Sequence, residues 1–251
     1  MLPKISIIIP CFNEAPGIRH LSDRLRPALR ALASTAEVEL VLVDDGSRDG
    51  TARRLEAEFG GVKSTVIVRH EENRGITAAI HTGFAAANGE VLCTMDSDMS
   101  YDPMILGRLI APILAGQADV VSASPYHPGG AVVNVPAWRL ALSRAASWIY
   151  RQLLPVPLYT VTSCCRAYRA SILSQLTFTN PGFLGVSEML AAAVLARLRI
   201  VEVPARLTRR RYGVSKMKTA SVLRDHLGLI WRLAADRWRL RAAEIVHGSE
   251  R

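Results

Sequence analysis

No stretch of the 251 residues reaches the roughly 18 uninterrupted apolar residues that span a bilayer. The most apolar run, Met189 to Leu195, is flanked by Glu188 and Arg197. Nor does Met1-Leu2-Pro3-Lys4 with the short run after it resemble a secretory signal, so the expectation is a cytoplasmic chain without a membrane span of its own. Cysteine is scarce: Cys164 and Cys165 are adjacent, and Cys11 and Cys93 sit in or beside apolar runs, which suits buried thiols better than a disulfide framework. No Cys/His cluster has zinc spacing. No Gly-x-Gly-x-x-Gly follows the first apolar run and no Gly-Lys-Ser/Thr loop occurs, which argues against a dinucleotide dehydrogenase and a P-loop enzyme. Internal repeats and low-complexity tracts are absent too.

What is present is an alternation of two periods. Ile5 to Ile9, Leu40 to Val43, Thr65 to Val68, Val91 to Met95 and Asp119 to Ser122 are short runs, mostly β-branched or apolar, bounded by turn formers, and read as strands. Between them, Ile18, Leu21, Leu25, Leu29 and Leu32 recur at helical spacing, as do Ala79, Ile80, Phe84 and Ala87. Strict alternation predicts an α/β fold, a mostly parallel sheet built from right-handed crossovers with helices on both faces. The length suits one domain, 1–251. Pro125, Pro128 and Pro136 mark a loop-rich stretch dividing a first half, 1–122, from a second, 123–216, with a C-terminal segment over 217–251.

Four strand ends carry acidic or turn-forming residues: Pro10-Cys11-Phe12-Asn13-Glu14, Asp44-Asp45-Gly46-Ser47, Asn73-Arg74-Gly75 and Asp96-Ser97-Asp98. In an open parallel sheet those ends share one edge, where ligands bind. Asp96 and Asp98, at i and i+2, can present oxygens to one hard cation such as Mg²⁺ or Mn²⁺, which keeps other positions for phosphate and water. The competing reading is a capping turn before Asp102-Pro103. Asp44 and Asp45 tip the balance, because four carboxylates converging on one crevice require cations or hydroxyls to compensate them. The expected ligand is a nucleotide held through base, ribose and metal-bound diphosphate.

The net charge of +9 is uneven. Six Lys or Arg and no acid lie between Arg206 and Lys218, and Arg224, Arg232, Arg237, Arg239 and Arg241 follow. Such a patch attracts a phosphorylated ligand, an anionic membrane surface or nucleic acid. Leu223, Leu227, Ile230, Trp231, Ala234 and Trp238 recur at helical spacing among these arginines. That face suits either an anionic bilayer or packing on the sheet. Nucleic acid accounts for the charge but leaves the carboxylates unexplained, so it is not expected as a partner.

Ser6-Ile7-Ile8-Ile9-Pro10 with Phe12-Asn13-Glu14, then Val43-Asp44-Asp45-Gly46-Ser47-Arg48-Asp49-Gly50-Thr51, Asn73-Arg74-Gly75 and Asp96-Ser97-Asp98-Met99-Ser100 resemble, in order, the motifs of family 2 inverting glycosyltransferases with the GT-A fold. Further on, Pro128-Gly129-Gly130, Trp138-Arg139 with Ser143, Thr162 to Arg169, Glu188-Met189-Leu190 and Arg210-Arg211-Tyr212-Gly213-Val214-Ser215-Lys216 resemble the dolichyl-phosphate and polyprenyl-phosphate mannosyltransferase branch. That resemblance implies transfer of a hexose, with mannose from GDP-mannose first and glucose from UDP-glucose second, to a polyprenyl phosphate at the cytoplasmic membrane face. It places Pro10, Phe12, Glu14, Asp44 and Asp45 around the nucleoside, and Asp96 and Asp98 on metal and diphosphate. It places Arg210, Ser215 and Lys216 in a mobile loop over both phosphates, with Arg139 and Ser143 on the acceptor phosphate. The expected catalytic set is Asp96, Asp98, Arg210 and Lys216.

One departure stands out: where the family usually has Gly-Ser-Arg after the fifth strand, this chain reads Ala123-Ser124-Pro125, leaving Arg144 or Arg166 as replacements. A phosphate monoester, with a second pKa of about 6, is already anionic and needs positioning rather than a base. A sugar hydroxyl acceptor requires a carboxylate base instead, and Glu188 is then the first candidate; its structural alternative is to pair with an arginine or cap a helix. A nucleotidyltransferase also uses paired aspartates but lacks support from any glycine-rich, lysine-bearing loop. His81 and His127 are expected in ordinary polar contacts, Trp138 and Trp148 in core or interface packing, and Tyr126 to Gly130 as a lid-like loop. The expected location is peripheral, at the inner face of the cell membrane, held by the basic segment from Met217 to Val246 or by a membrane protein.

Overall fold

The computed structural model describes residues 1–213 and 223–235. β1 (Lys4–Cys11), α1 (Ile18–Ala33), β2 (Glu37–Asp44), α2 (Thr51–Phe59), β3 (Thr65–Arg69), α3 (Ile76–Ala86), β4 (Val91–Thr94), α4 (Leu106–Leu114) and β5 (Val120–Ser124) alternate as the periodicity requires. The second half adds β6 (Ala131–Val133), α5 (Ala137–Leu153), β7 (Arg166–Arg169), α6 (Phe183–Leu195), β8 (Ile200–Pro204) and β9 (Arg206–Thr208). A further helical stretch covers residues 223–235.

Seven strands form one sheet in the order β3-β2-β1-β4-β7-β5-β8, and β6 pairs with β9 in a small second sheet. All pairings in the main sheet are parallel except those of β7, which runs antiparallel to both β4 and β5. The chain leaves β1 toward β2 on one side and returns to β4 on the other, so the switch point lies between β1 and β4.

Alternating side chains of β1 feed two cores. Ile5, Ile7 and Ile9 pack with Leu21, Leu25, Leu55, Phe59 and Leu109, which puts α1, α2 and α4 on one face. Ile8 packs with Ile80, Phe84, Met189, Leu190, Tyr150, Leu229 and Leu233, which puts α3, α5, α6 and the stretch 223–235 on the other. The last stretch is tied down by Tyr150 Oη to His226 Nδ1 at 2.8 Å and by Arg232 Nη2 to Glu188 Oε1 at 2.6 Å.

Two packing expectations are narrowed. Trp138 and Trp148 are 53% and 65% exposed and are not in the core. Their helix already buries Tyr150 and Ser147 on its inner side, and the tryptophans lie away from that strip. In residues 223–235 the buried side chains are His226, Leu229 and Leu233, whereas Leu223, Leu227 and Trp231 face outward. Two apolar stripes share that helix, and its contact with α5 and α6 selects the one bearing Leu229 and Leu233. All four cysteines are buried and free, as expected. Among the described residues no helix is long and apolar enough to cross a membrane.

Candidate active site

The loops after β1 and β2 are stitched into one rim. Asn13 N donates to Ser47 Oγ at 2.9 Å, Glu14 N to Thr51 Oγ1 at 2.8 Å, Ala15 N to Asp49 Oδ2 at 3.1 Å, and Arg48 N to Asn13 Oδ1 at 2.9 Å. Pro10 is buried within β1 opposite Val43, Phe12 is partly exposed at its end, and Glu14 is buried just beyond.

The two adjacent aspartates diverge. Asp45 accepts from Arg74 N at 2.8 Å, Gly75 N at 2.9 Å and Asn73 Nδ2 at 2.8 Å, and meets His70 Nδ1 at 2.7 Å. It therefore organises the loop that starts α3. Gly75 has φ +99°, and a Cβ there would lie 2.5 Å from the Pro181 carbonyl oxygen. Only glycine admits that approach. Asp44 is fully buried; its Oδ1 accepts from Ser47 N at 3.3 Å. Its Oδ2 lies 3.4 Å from Arg69 Nε and makes no hydrogen bond among the described residues.

The four aspartates thus do not converge on one metal-sized cluster. Among the described residues no group of three or more His, Cys, Asp or Glu side chains is disposed to hold an ion. Asp45 is consumed by loop amides, which is why its charge needs no cation.

Asp96 and Asp98 remain as the pair at the switch point. Met99 N donates to Asp96 O at 3.4 Å, closing a turn over 96–99 in which Asp98 stands close enough to Asp96 for the two charges to repel. Burial and then the Asp98 charge push Asp96 up to about 7, against the pull of Arg210. The helix-capping alternative falls to Asp102, whose Oδ1 accepts from Met104 N at 3.0 Å. Asp98 instead uses Oδ1 on Ser100 N and Oγ, at 2.9 and 2.6 Å, and Oδ2 on Arg210 Nη2 at 2.7 Å. Two hard oxygen donors that repel each other in a buried place fit one divalent cation, which takes its remaining ligands from phosphate and water.

Arg210 joins the two sides of the switch point, since its Nη1 also reaches Glu14 Oε1 at 3.4 Å. It is carried there by β9, whose Thr208 N and Oγ1 donate to Ser100 O at 2.8 and 3.0 Å. Tyr212 and Gly213 continue over Glu14 and Gly17: a Cβ on Gly213 would lie 2.9 Å from Glu14 Oε2, and the Tyr212 ring sits 5.2 Å from that of His20. Ser215, Lys216 and the arginines from Arg237 onward lie outside the described residues.

On the second half, Ser143 Oγ meets Thr162 Oγ1 at 2.9 Å, and the Arg139 guanidinium lies 5.7 Å from the Trp138 ring. Arg166 is overturned as a replacement for an arginine at position 125. It is completely buried, with Nη1 on Val186 O and Nη2 on Val161 O, both at 2.6 Å, so it braces α6 against the 161–164 segment. Glu188 is buried, accepts from Thr179 N and Asn180 N at 2.7 and 2.8 Å, and pairs with Arg232. His70 and Arg69 had no sequence signal of their own: they act by register beside the motif aspartates.

The profile described as Glycosyl transferase family 2 matches residues 6–177, more than half the chain. The chain is 33% identical over 223 residues to the polyprenol monophosphomannose synthase of Mycolicibacterium smegmatis, covering 86% of this chain and 82% of that protein. It is 32% identical over 242 residues to the undecaprenyl-phosphate mannosyltransferase of Micrococcus luteus, covering 94% and 96%. It is 31% identical over 232 residues to the dolichol-phosphate mannosyltransferase of Pyrococcus furiosus, covering 92% of this chain but only 63% of that longer protein. In fold it is similar to glucosyl-3-phosphoglycerate synthase from Mycobacterium tuberculosis in complex with Mn²⁺, UDP-glucose and phosphoglyceric acid. There the TM-score is 0.71 at 21% identity, covering 93% of this chain and 80% of that one. The chain belongs to glycosyltransferase family 2, and its α/β sheet is of the GT-A kind.

Proposed function

We propose that this glycosyltransferase moves mannose from GDP-mannose to a polyprenyl phosphate in a single inverting displacement, with Mg²⁺ or Mn²⁺ as cofactor. The observation that carries the reading is the Asp96 and Asp98 pair at the switch point, faced by Arg210. Support for donor and acceptor comes from relatives named for mannosyl transfer to dolichol, polyprenol and undecaprenyl phosphates. Glu188 is committed to Arg232 and the 179–180 amides, which favours an acceptor that needs no base. A phosphate monoester is such an acceptor.

In this reading Asp96 and Asp98 hold the cation, which when bound neutralises charge on the leaving diphosphate. Pro10, Phe12, Glu14, Asp44 and Asp45 frame the nucleoside. The unbonded Asp44 Oδ2 can accept an N–H from the base. Arg210, with Ser215 and Lys216 beyond it, orients donor and acceptor phosphates, and Arg139 and Ser143 receive the acceptor phosphate. The chain acts as one domain, nucleotide-binding in 1–122 and acceptor-binding in 123–216.

Peripheral attachment to an anionic bilayer completes the proposal. Trp138, Leu142 and Trp148 on α5, and Leu223, Leu227 and Trp231 on 223–235, are exposed beside Arg139, Arg144, Arg151 and Arg224. Exposed apolar groups among cations suit the headgroup region. A membrane protein covering the same face is the alternative. Sedimentation with protein-free phosphatidylglycerol vesicles separates the two.

The deciding experiment is the shift in melting temperature with Mn²⁺ and each of GDP, UDP, ADP, CDP and dTDP, because a ligand that binds only the folded state raises it. A selective rise with GDP is expected. A rise with UDP alone moves the donor to UDP-glucose or a related sugar, and no rise with any of them overturns the reading.

A further inference from the structure

α5 carries two arginines, Arg144 and Arg151, that belong to the exposed basic face but have no contact assigned to them above. Seven residues apart, they stand on one side of the helix, two turns from each other. The Arg144 guanidinium lies 5.2 Å from the centre of the Tyr126 ring, and that of Arg151 lies 5.2 Å from the Tyr159 ring. With His127 and Trp148 these side chains wall an open cleft of about 500 Å³.

The charge in this cleft is unbalanced. No Asp or Glu lines it, and among the described residues neither arginine is ion-paired. Arg24, Arg199 and Arg210, by contrast, all have carboxylate partners. Glu202, behind the wall, is occupied by Tyr159 N and Thr160 N at 2.6 and 2.8 Å. The wall itself is braced: Ser124 Oγ meets Thr160 Oγ1 at 2.7 Å and accepts from His127 N at 3.1 Å, and His127 packs edge-on to Tyr159 with ring centres 5.1 Å apart.

A guanidinium lying on an aromatic ring keeps its in-plane N–H fork free, and that fork matches the oxygens of a phosphate. We infer that this cleft is a phosphate-monoester subsite for the acceptor, with Arg144 and Arg151 as its cations and Trp148 at its rim against the hydrocarbon chain. The inference rests on the acceptor class proposed above and adds a pair of cations to Arg139 and Ser143. Pro125, on the cleft's edge, brings no charge, so the cations come from α5. Chain length bounds the distance to the chemistry. From Tyr159 to Cys164, which neighbours Asp96, five residues span at most about 18 Å when extended.

The test uses Arg144→Gln and Arg151→Gln, with geranyl phosphate as a soluble acceptor and the nucleotide-induced melting shift as a control for folding and donor binding. Each variant is expected to raise KM for geranyl phosphate about tenfold or more, the usual effect of losing a charge-assisted contact. The nucleotide shift should stay as in the parent protein. Unchanged KM in both variants overturns the inference. If the parent protein shows no transfer to geranyl phosphate, the proposed function fails first, and phosphatidylglycerol vesicles then read the cleft. Vesicle binding lost in both variants makes it a lipid-headgroup site, and binding retained leaves it without an anion; either result overturns the acceptor assignment.

Discussion

Arg210 and Asp98 meet at 2.7 Å because Thr208, two residues before the arginine, donates twice to the backbone oxygen of Ser100, two residues after the aspartate. The contact is a consequence of register: β9 is fastened to the turn that carries the carboxylate. Its cation stands beside two acids that repel each other, and it is the described part of the loop that crosses Glu14.

Asp98→Asn removes one of the two hard oxygen donors and the partner of Arg210 together. The expected result is loss of turnover and loss of the metal-dependent part of nucleotide binding, while the Ser100 contacts can still be made by the amide oxygen. Isothermal titration with GDP, with and without Mn²⁺, reads it. Near-normal activity would sink the metal assignment.

Arg210→Ala removes the guanidinium that reaches both Asp98 and Glu14. Transfer is expected to fall on the order of a hundredfold, the scale for removing a group that stabilises developing charge. Some folding cost is expected as well, because Asp98 and Glu14 are largely buried and both lose a cation. Steady-state kinetics beside a melting curve checks this; a large drop in melting temperature with unchanged specific activity would mark the arginine as structural.

Gly75→Ala tests the loop that Asp45 organises. The added methyl meets the Pro181 carbonyl oxygen at 2.5 Å in a backbone conformation, φ +99°, that side chains rarely adopt. Strain of this kind costs roughly 1–3 kcal/mol before the clash is counted. Chemical denaturation should show the loss, and a midpoint equal to that of the parent would contradict the close approach.

The strands of the first half were legible because β1, β2 and β4 are buried on both faces and read as continuous apolar runs. The motifs at the strand ends were legible as a group along one sheet edge, yet the division of labour among their acids was hidden. Asp44 and Asp45 are neighbours in sequence, and only the fold shows Asp45 satisfied by Arg74 N and Gly75 N while Asp44 keeps an unbonded oxygen. β7 was missed as a strand because Arg166-Ala167-Tyr168-Arg169 has the composition of a surface loop. Its buried arginine is tolerated only because distant backbone oxygens meet it. On residues 223–235 two apolar stripes compete, and periodicity has no term for which one a neighbouring helix will cover.

The pH dependence of stability should include a contribution from Glu39. Burial raises the pKa of its carboxyl, but the hydroxyl of Ser6 at 2.5 Å and the backbone and side-chain N–H groups of Asn88, both at 2.9 Å, outweigh it, so the group titrates below the ordinary glutamate value. A depressed carboxyl contributes stability that is complete above its unfolded value of about 4.3 and is lost as pH falls through the lower folded value. The parent protein should therefore lose stability as the medium is acidified below about pH 4.3, with Ser6 and the turn at Asn88 and Gly89 loosening first. Glu39→Gln keeps the shape and removes the titration. It is expected to be less stable at neutral pH and to show a flatter stability curve in the acid range. Parallel curves for the two proteins between pH 3 and 5, measured by urea denaturation, would show that this carboxylate is not among the groups that link folding to protons.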